Sequence, residues 1–114
     1  MPYLALYTNS ELPPTQKESL SQQLSQSIST MLGKSEKFVM VHILDHQTIT
    51  FAGSDLPCAY LELKSISLPE EQCSSFANTL CSEIATSLGI AQDRIYIEFS
   101  NAQRHLWGWN GSTF

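Results

Sequence analysis

The residue with the most direct route to chemistry is Pro2, which follows Met1 at the head of the aromatic and aliphatic run Tyr3-Leu4-Ala5-Leu6-Tyr7-Thr8. A residue as small as proline generally permits removal of the methionine before it. The chain then begins with a secondary amine on an apolar strand, a base without a flexible stem. Desolvation and nearby cations both disfavour the protonated amine, so the surrounding pocket would set its pKa. A general base works best when that pKa lies near the operating pH. If Met1 is retained, the same nitrogen is an amide and has no basicity. Met-Pro is also a common way to begin a protein, so Pro2 by itself specifies nothing.

The other chemistry-bearing residues give bland readings when taken singly. Cys58, Cys73 and Cys81 are odd in number and form no C-x-x-C pair, so neither a disulfide framework nor a zinc site is indicated, and all three read as small core residues. His42 reads as a hydrogen-bonded core histidine, while His46 and His105 fall in loops without metal-ligand spacing. Lys34, just past a helix end, reads as a solvated cation interacting with the helix dipole. Tyr3 and Tyr96 read as half-buried strand aromatics, and Trp109 as interface packing.

Composition narrows the class. The 114 residues suit one domain spanning 1–114, and 42% hydrophobic with 15% charged residues is ordinary for a soluble globular protein. No apolar run approaches the roughly 20 residues of a membrane helix, so no membrane span is expected. A net charge of −5, with only six Lys and Arg and no basic cluster, argues against a nucleic-acid partner. The N-terminus lacks a secretory signal, which makes the cytoplasm the default location and leaves signal-less export open.

The elements that must position these residues follow from periodicity. Residues 3–8 read as a strand, followed by a proline-rich loop. A helix comes next, with Thr15 and Glu18 at capping-box spacing and Leu20, Leu24, Ile28, Met31 and Leu32 as its apolar stripe, ending near Gly33. Residues 37–44 are almost continuously apolar and predict a strand buried on both faces. Residues 49–52 read as a short strand and 58–66 as a longer one. A second helix starts near residues 67–69, with Ser67 and Glu70 at capping-box spacing, carries its stripe from Cys73 to Leu88, and ends at Gly89. Residues 94–99 form the last main strand. The tail from Leu106 to Phe114 is too aromatic for a solvated terminus.

Tyr3-Leu4-Ala5-Leu6 and Tyr60-Leu61-Glu62-Leu63 open units that close at Leu32-Gly33 and Leu88-Gly89, so the chain reads as two β-α-β repeats. Right-handed crossovers put both helices on one face of the sheet. The expectation is an α/β two-layer sandwich: a four-stranded mixed sheet, two helices on one face, and short extra strands. The other sheet face then has no cover within the chain. Either Val39, Val41 and Ile43 or the alternating Phe38, Met40 and Leu44 must find it elsewhere, which with Trp107, Trp109 and Phe114 predicts an obligate oligomer.

At the level of motifs, the whole chain resembles the macrophage migration inhibitory factor family of the tautomerase superfamily. The resemblance rests on Pro2 after Met1, Thr8-Asn9, Leu32-Gly33-Lys34, Val41-His42, Phe51-Ala52-Gly53-Ser54, Pro57-Cys58-Ala59 and Ser65-Ile66. It continues through Asp93-Arg94-Ile95-Tyr96-Ile97 and Gly108-Trp109-Asn110-Gly111-Ser112-Thr113-Phe114. Each motif is weak alone, but their order and spacing are specific.

The resemblance implies a homotrimer with active sites at subunit interfaces, and keto-enol tautomerisation of an α-keto acid such as phenylpyruvate. That reaction needs no cofactor and no metal. It implies Pro2 as acid-base catalyst, Lys34 and the backbone N–H of Ile66 as donors to the substrate carboxylate, and Tyr96 reaching the pocket from an adjacent subunit. Tyr3, Trp107, Trp109 and Phe114 would surround the substrate ring. The sequence also departs from the founding vertebrate member. Glu98 stands in place of an asparagine, bringing a carboxylate that would raise the Pro2 pKa and repel an anionic substrate. Trp107 and Tyr3 replace smaller or more flexible residues and should narrow the pocket.

Two further departures bear on other activities of the family. Leu61 stands where a C-x-x-C motif beginning at Cys58 needs its second cysteine, and Glu11 and Leu12 occupy the first-loop region where the animal cytokine carries a basic residue. Thiol-disulfide exchange and receptor signalling therefore do not carry over. The alternative reading is a cytokine-like or interaction protein with a vestigial pocket. A hydrolytic relative of the haloacrylate dehalogenase type is a further one; Glu98 suits it, but no arginine follows Pro2 in the early chain.

Overall fold

The structure, a computed structural model, describes residues 1–114. Strand β1 (Tyr3–Thr8) leads through Pro13 and Pro14 into helix α1 (Pro14–Leu32) and then to β2 (Met40–Leu44). The second half repeats this order with β3 (Ala59–Ile66), α2 (Cys73–Leu88) and β4 (Ile95–Ala102), and a hairpin of β5 (Gly108–Trp109) and β6 (Ser112–Thr113) closes the chain. The main sheet runs β2-β1-β3-β4. Each outer strand is parallel to its inner neighbour, and the two inner strands pair antiparallel with Tyr3 opposite Lys64 and Tyr7 opposite Tyr60. The mixed four-stranded sheet of two β-α-β repeats is as the sequence implies.

One apolar core holds the layers together. Leu4 and Leu6 of β1 and Leu61 and Leu63 of β3 alternate toward the helices, meeting Leu20, Leu24 and Ile28 of α1 and Leu80 and Ile84 of α2. Burying each such side chain contributes about 1.5–3 kcal/mol. The two helices lie side by side on this face: Gln23 and Ser27 of α1 each donate to the Glu83 carboxylate of α2 at 2.9 Å. No helix is long and apolar enough to cross a membrane.

Both helices stop at a glycine in the left-handed region, Gly33 at φ 62° and Gly89 at φ 67°. That conformation carries little penalty only without a Cβ. At Gly33 it reverses the chain so that the Lys34 N–H returns to the Ser29 carbonyl at 3.1 Å.

Neither capping box forms. Pro14 takes the first helical position of α1 with its φ already fixed, so Thr15 is inside the helix and no side chain caps it. In the second repeat Ser67 adopts φ 54°. Its neighbours bond to β4 instead: Leu68 N–H donates to Asn101 Oδ1 at 3.0 Å, and Asn101 Nδ2 donates to Glu70 at 2.7 Å. Residues Glu70–Gln72 form a 3-10 turn, and α2 begins only at Cys73.

Three further expectations need correction. The segment 37–44 opens with a 3-10 turn at Glu36–Phe38, and β2 lies at the sheet edge with its helix-side residues Val41 and Ile43 half-buried and Met40 64% exposed. Its continuous apolar run calls for two covers, of which the chain supplies one. The expected strand at 49–52 reduces to a single bridge between Phe51 and Ser54 around Ala52 and Gly53, both at positive φ. Cys58 is buried, whereas Cys73 and Cys81 are only half-buried.

The sheet face away from the helices carries Met40, His42 and Leu44 beside Tyr3, Ala5 and Tyr7, then Lys64, Glu62 and Tyr60, then Ser100, Glu98 and Tyr96, as the register dictates. His42 is exposed there, not in the core, with Nδ1 at 3.1 Å from the Tyr3 hydroxyl oxygen.

Candidate active site

Pro2 immediately precedes β1 and is fully buried, its carbonyl accepting the Met40 N–H at 3.0 Å and so extending the β1–β2 pairing by one step. This bond fixes the start of the chain on the sheet. Met1 lies beyond it, between two hollows. The first, of about 300 Å³, is lined by Met1, Pro2, Tyr3, Phe38, Trp107 and Trp109 among others. The second, also about 300 Å³, is lined by Met1, Lys34, Ser35, Phe38, Ile66, Arg104 and Phe114. Met1 and Phe38 border both.

The left-handed turn at Gly33 directs Lys34 across to the end of β3, where Nζ donates to the Ile66 carbonyl at 2.9 Å. Buried Ser65 donates its hydroxyl to the same oxygen at 3.0 Å. Lys34 has no acidic partner, since the ion pairs of the chain are Lys17 with Asp45 and Lys64 with Glu62. The side chains lining the second hollow thus include two cations, Lys34 and Arg104, and no Asp or Glu.

This environment acts on the terminal amine. Burial holds the Met1 ammonium below its ordinary pKa of 8.0, and the charges of Lys34 and then Arg104 lower it further. Both causes favour a neutral, proton-accepting amine at this end of the chain.

The closing hairpin supplies the aromatic wall. Trp109 stacks on Phe114 with ring centroids 5.8 Å apart and planes 9° from parallel, and meets Phe38 edge-on at 5.6 Å. The turn between β5 and β6 consists of Asn110 and Gly111, both at positive φ, the geometry a two-residue hairpin requires.

The structure thus brings Pro2, Tyr3, Trp107 and Trp109 to one hollow and Lys34, Ile66 and Phe114 to the adjoining one. Tyr96 and Glu98 are elsewhere. They lie on β4, two strands from β1, with Tyr96 in register with Tyr60 near the opposite end of the sheet from Tyr3. Tyr96 is 65% exposed and packs on Phe51 at 4.6 Å. Glu98 accepts a hydrogen bond from the Tyr60 hydroxyl at 3.1 Å. Partial burial, that bond and the charge of Glu62 push the Tyr60 phenol up to about 12. Within one chain, then, the Glu98 carboxylate engages Tyr60 and not Pro2.

Phe38 and Arg104 were not anticipated as site residues. Phe38 counts in the sequence as one more apolar residue of a strand, and Arg104 as an isolated cation in a connection. Only the packing of the tail against the start of β1 places them there. No group of three or more His, Cys, Asp or Glu side chains is arranged to hold a metal ion.

Comparison with known proteins identifies the family. The family model for macrophage migration inhibitory factor matches residues 1–114. The chain is 36% identical to macrophage migration inhibitory factor of Meriones unguiculatus, covering 100% of this chain and 99% of that protein. It is 35% identical to the homolog from Brugia malayi, with the same coverage of both chains. Among solved structures, the homologue from Prochlorococcus marinus superposes with a TM-score of 0.91 at 36% identity, covering 98% of each chain. The protein from Trichinella spiralis gives 0.90 at 32% identity, covering 98% of this chain and 99% of that one. The chain belongs to the macrophage migration inhibitory factor family.

Proposed function

We propose that this protein is a keto-enol tautomerase acting on aryl α-keto acids such as phenylpyruvate, with the amine of Pro2, freed by removal of Met1, as its acid-base catalyst. The observation that carries the reading is the position of the chain terminus: Pro2 lines the aromatic hollow, and Met1 before it borders both that hollow and the cationic one, where burial and the charges of Lys34 and Arg104 lower the pKa of its amine. In the enol-to-keto direction the neutral amine takes the proton of the enol hydroxyl, and the resulting ammonium returns a proton to the adjacent carbon. No electron leaves the substrate, so the step consumes no cofactor.

The same residues account for orientation. Lys34 and the backbone N–H of Ile66 hold the carboxylate, and charge assistance strengthens the lysine contact. The aryl ring takes the apolar hollow beside Tyr3, Trp107 and Trp109, with Phe114 behind Trp109. Tyr96 and Glu98, remote within one chain, would be supplied by the adjacent protomer of a homotrimer, which also covers the open sheet face.

Intact mass and a phenylpyruvate assay on one sample test the proposal. Protein lacking Met1 should turn over the enol, and Pro2→Gly should lower kcat/KM by about 100-fold or more. A normal rate in Pro2→Gly overturns the role of Pro2. A processed protein without turnover would favour an interaction protein with a vestigial pocket.

A further inference from the structure

Lys34 is not the only cation in the second hollow. Arg104, from the 3-10 turn between β4 and the closing hairpin, lines the same space and is exposed, and its guanidinium has neither a carboxylate partner nor a hydrogen bond within the chain. Its charge reaches the terminal amine, as does that of Lys34. If the carboxylate of a simple α-keto acid is met by Lys34 and the Ile66 N–H, both of its oxygens are already served, and the guanidinium is left over. A guanidinium offers a planar fork of donors suited to a carboxylate, and it is more weakly hydrated than an ammonium.

We infer that Arg104 is a second anion-binding residue of the Pro2 site, one that selects substrates carrying two neighbouring anionic groups, of the α-keto dicarboxylate class, over monocarboxylates. The inference rests on the proposed function for the placing of the first carboxylate at Lys34, and it extends that reading to substrate class. The neighbouring position of the second anion follows from both cations bordering one hollow of about 300 Å³.

The test uses the full chain with Met1 removed and two unreactive probes of matched ring, phenylmalonate as dianion and phenylacetate as monoanion. Binding is read from the fluorescence of Trp107 and Trp109. The wild-type protein should prefer phenylmalonate by about tenfold, in line with one partly solvated charge-assisted contact. Arg104→Ala should reduce that preference to within about twofold, chiefly through weaker phenylmalonate binding. Equal affinity of the wild type for the two probes, failure to bind phenylmalonate, or an equal loss for both probes in the variant overturns the inference. Since neither probe reacts, the result stands apart from turnover: absent phenylpyruvate activity would refute the tautomerase reading while leaving the probe preference measurable.

Discussion

The ammonium of Lys34 donates to the backbone carbonyl of Ile66 at 2.9 Å, joining the turn after α1 to the end of β3. This bond crosses from the first repeat to the second and places a cation beside the chain terminus. It uses one of the three ammonium donors and leaves the others directed by the same anchor.

Lys34→Ala should therefore affect binding and basicity together. The lost charge-assisted contact should raise KM for phenylpyruvate by about tenfold or more. The pH dependence supplies a second signature. A general base acts in its neutral form, so kcat/KM should rise with pH through the pKa of the Pro2 amine, on which the Lys34 charge that lowers the neighbouring Met1 amine should act in the same direction. Removing the Lys34 charge should move the midpoint of that rise upward. A variant with higher KM and an unmoved midpoint would show that Lys34 binds substrate without tuning the base.

Arg94 should control the order of the segment following β2. Its guanidinium donates to the carbonyls of Pro57, Phe51, Ser54 and Leu56 at 2.9–3.2 Å, and it lies over the Phe51 ring at 5.2 Å. Lysine cannot reproduce a planar fork that meets several carbonyls at once. Both Arg94→Ala and Arg94→Lys should speed amide hydrogen exchange across residues 51–57. Full protection in Arg94→Lys would show that charge alone suffices.

Asp45 should contribute to acid resistance. Its carboxylate accepts the Leu12 N–H at 2.8 Å and a bond from Lys17 at 3.3 Å, and these, the backbone bond first, hold its pKa below the ordinary 3.8. A depressed carboxylate pKa stabilises the fold above the unfolded value and loses that contribution as pH falls through the folded one. Asp45→Ala should therefore lower Tm at neutral pH, and the two melting profiles should converge below pH 3.8. A constant gap between them at all pH values would place the effect in packing rather than in ionisation.

The sequence by itself determined the repeat and the layers. Apolar stripes at helical spacing, Leu20-Leu24-Ile28 and Phe76-Leu80-Ile84, and the strand alternation of Leu61 and Leu63 are local consequences of side-chain periodicity, and they reappear as the buried core. Gly33 and Gly89 marked helix ends because the left-handed region is a property of the single residue. Helix starts were less legible. Ser67 and Glu70 have the spacing of a cap, yet Asn101, on β4, claims the backbone of Leu68 and the Glu70 side chain.

Tertiary structure alone decided the composition of the site. Pro2 could be read as a latent amine, but its burial, the aromatic hollow it lines and the cations that lower the pKa of the Met1 amine before it come from segments brought together only by the fold. Arg104 carried no signal in the chain because an isolated cation in a connection gains meaning only from what folds against it. Tyr96 and Glu98 make the converse case: the register that aligns β4 with β3 sets them beside Tyr60 and Glu62, apart from Pro2. Periodicity fixes which face a residue takes, whereas strand order and the packing of the tail fix which faces meet.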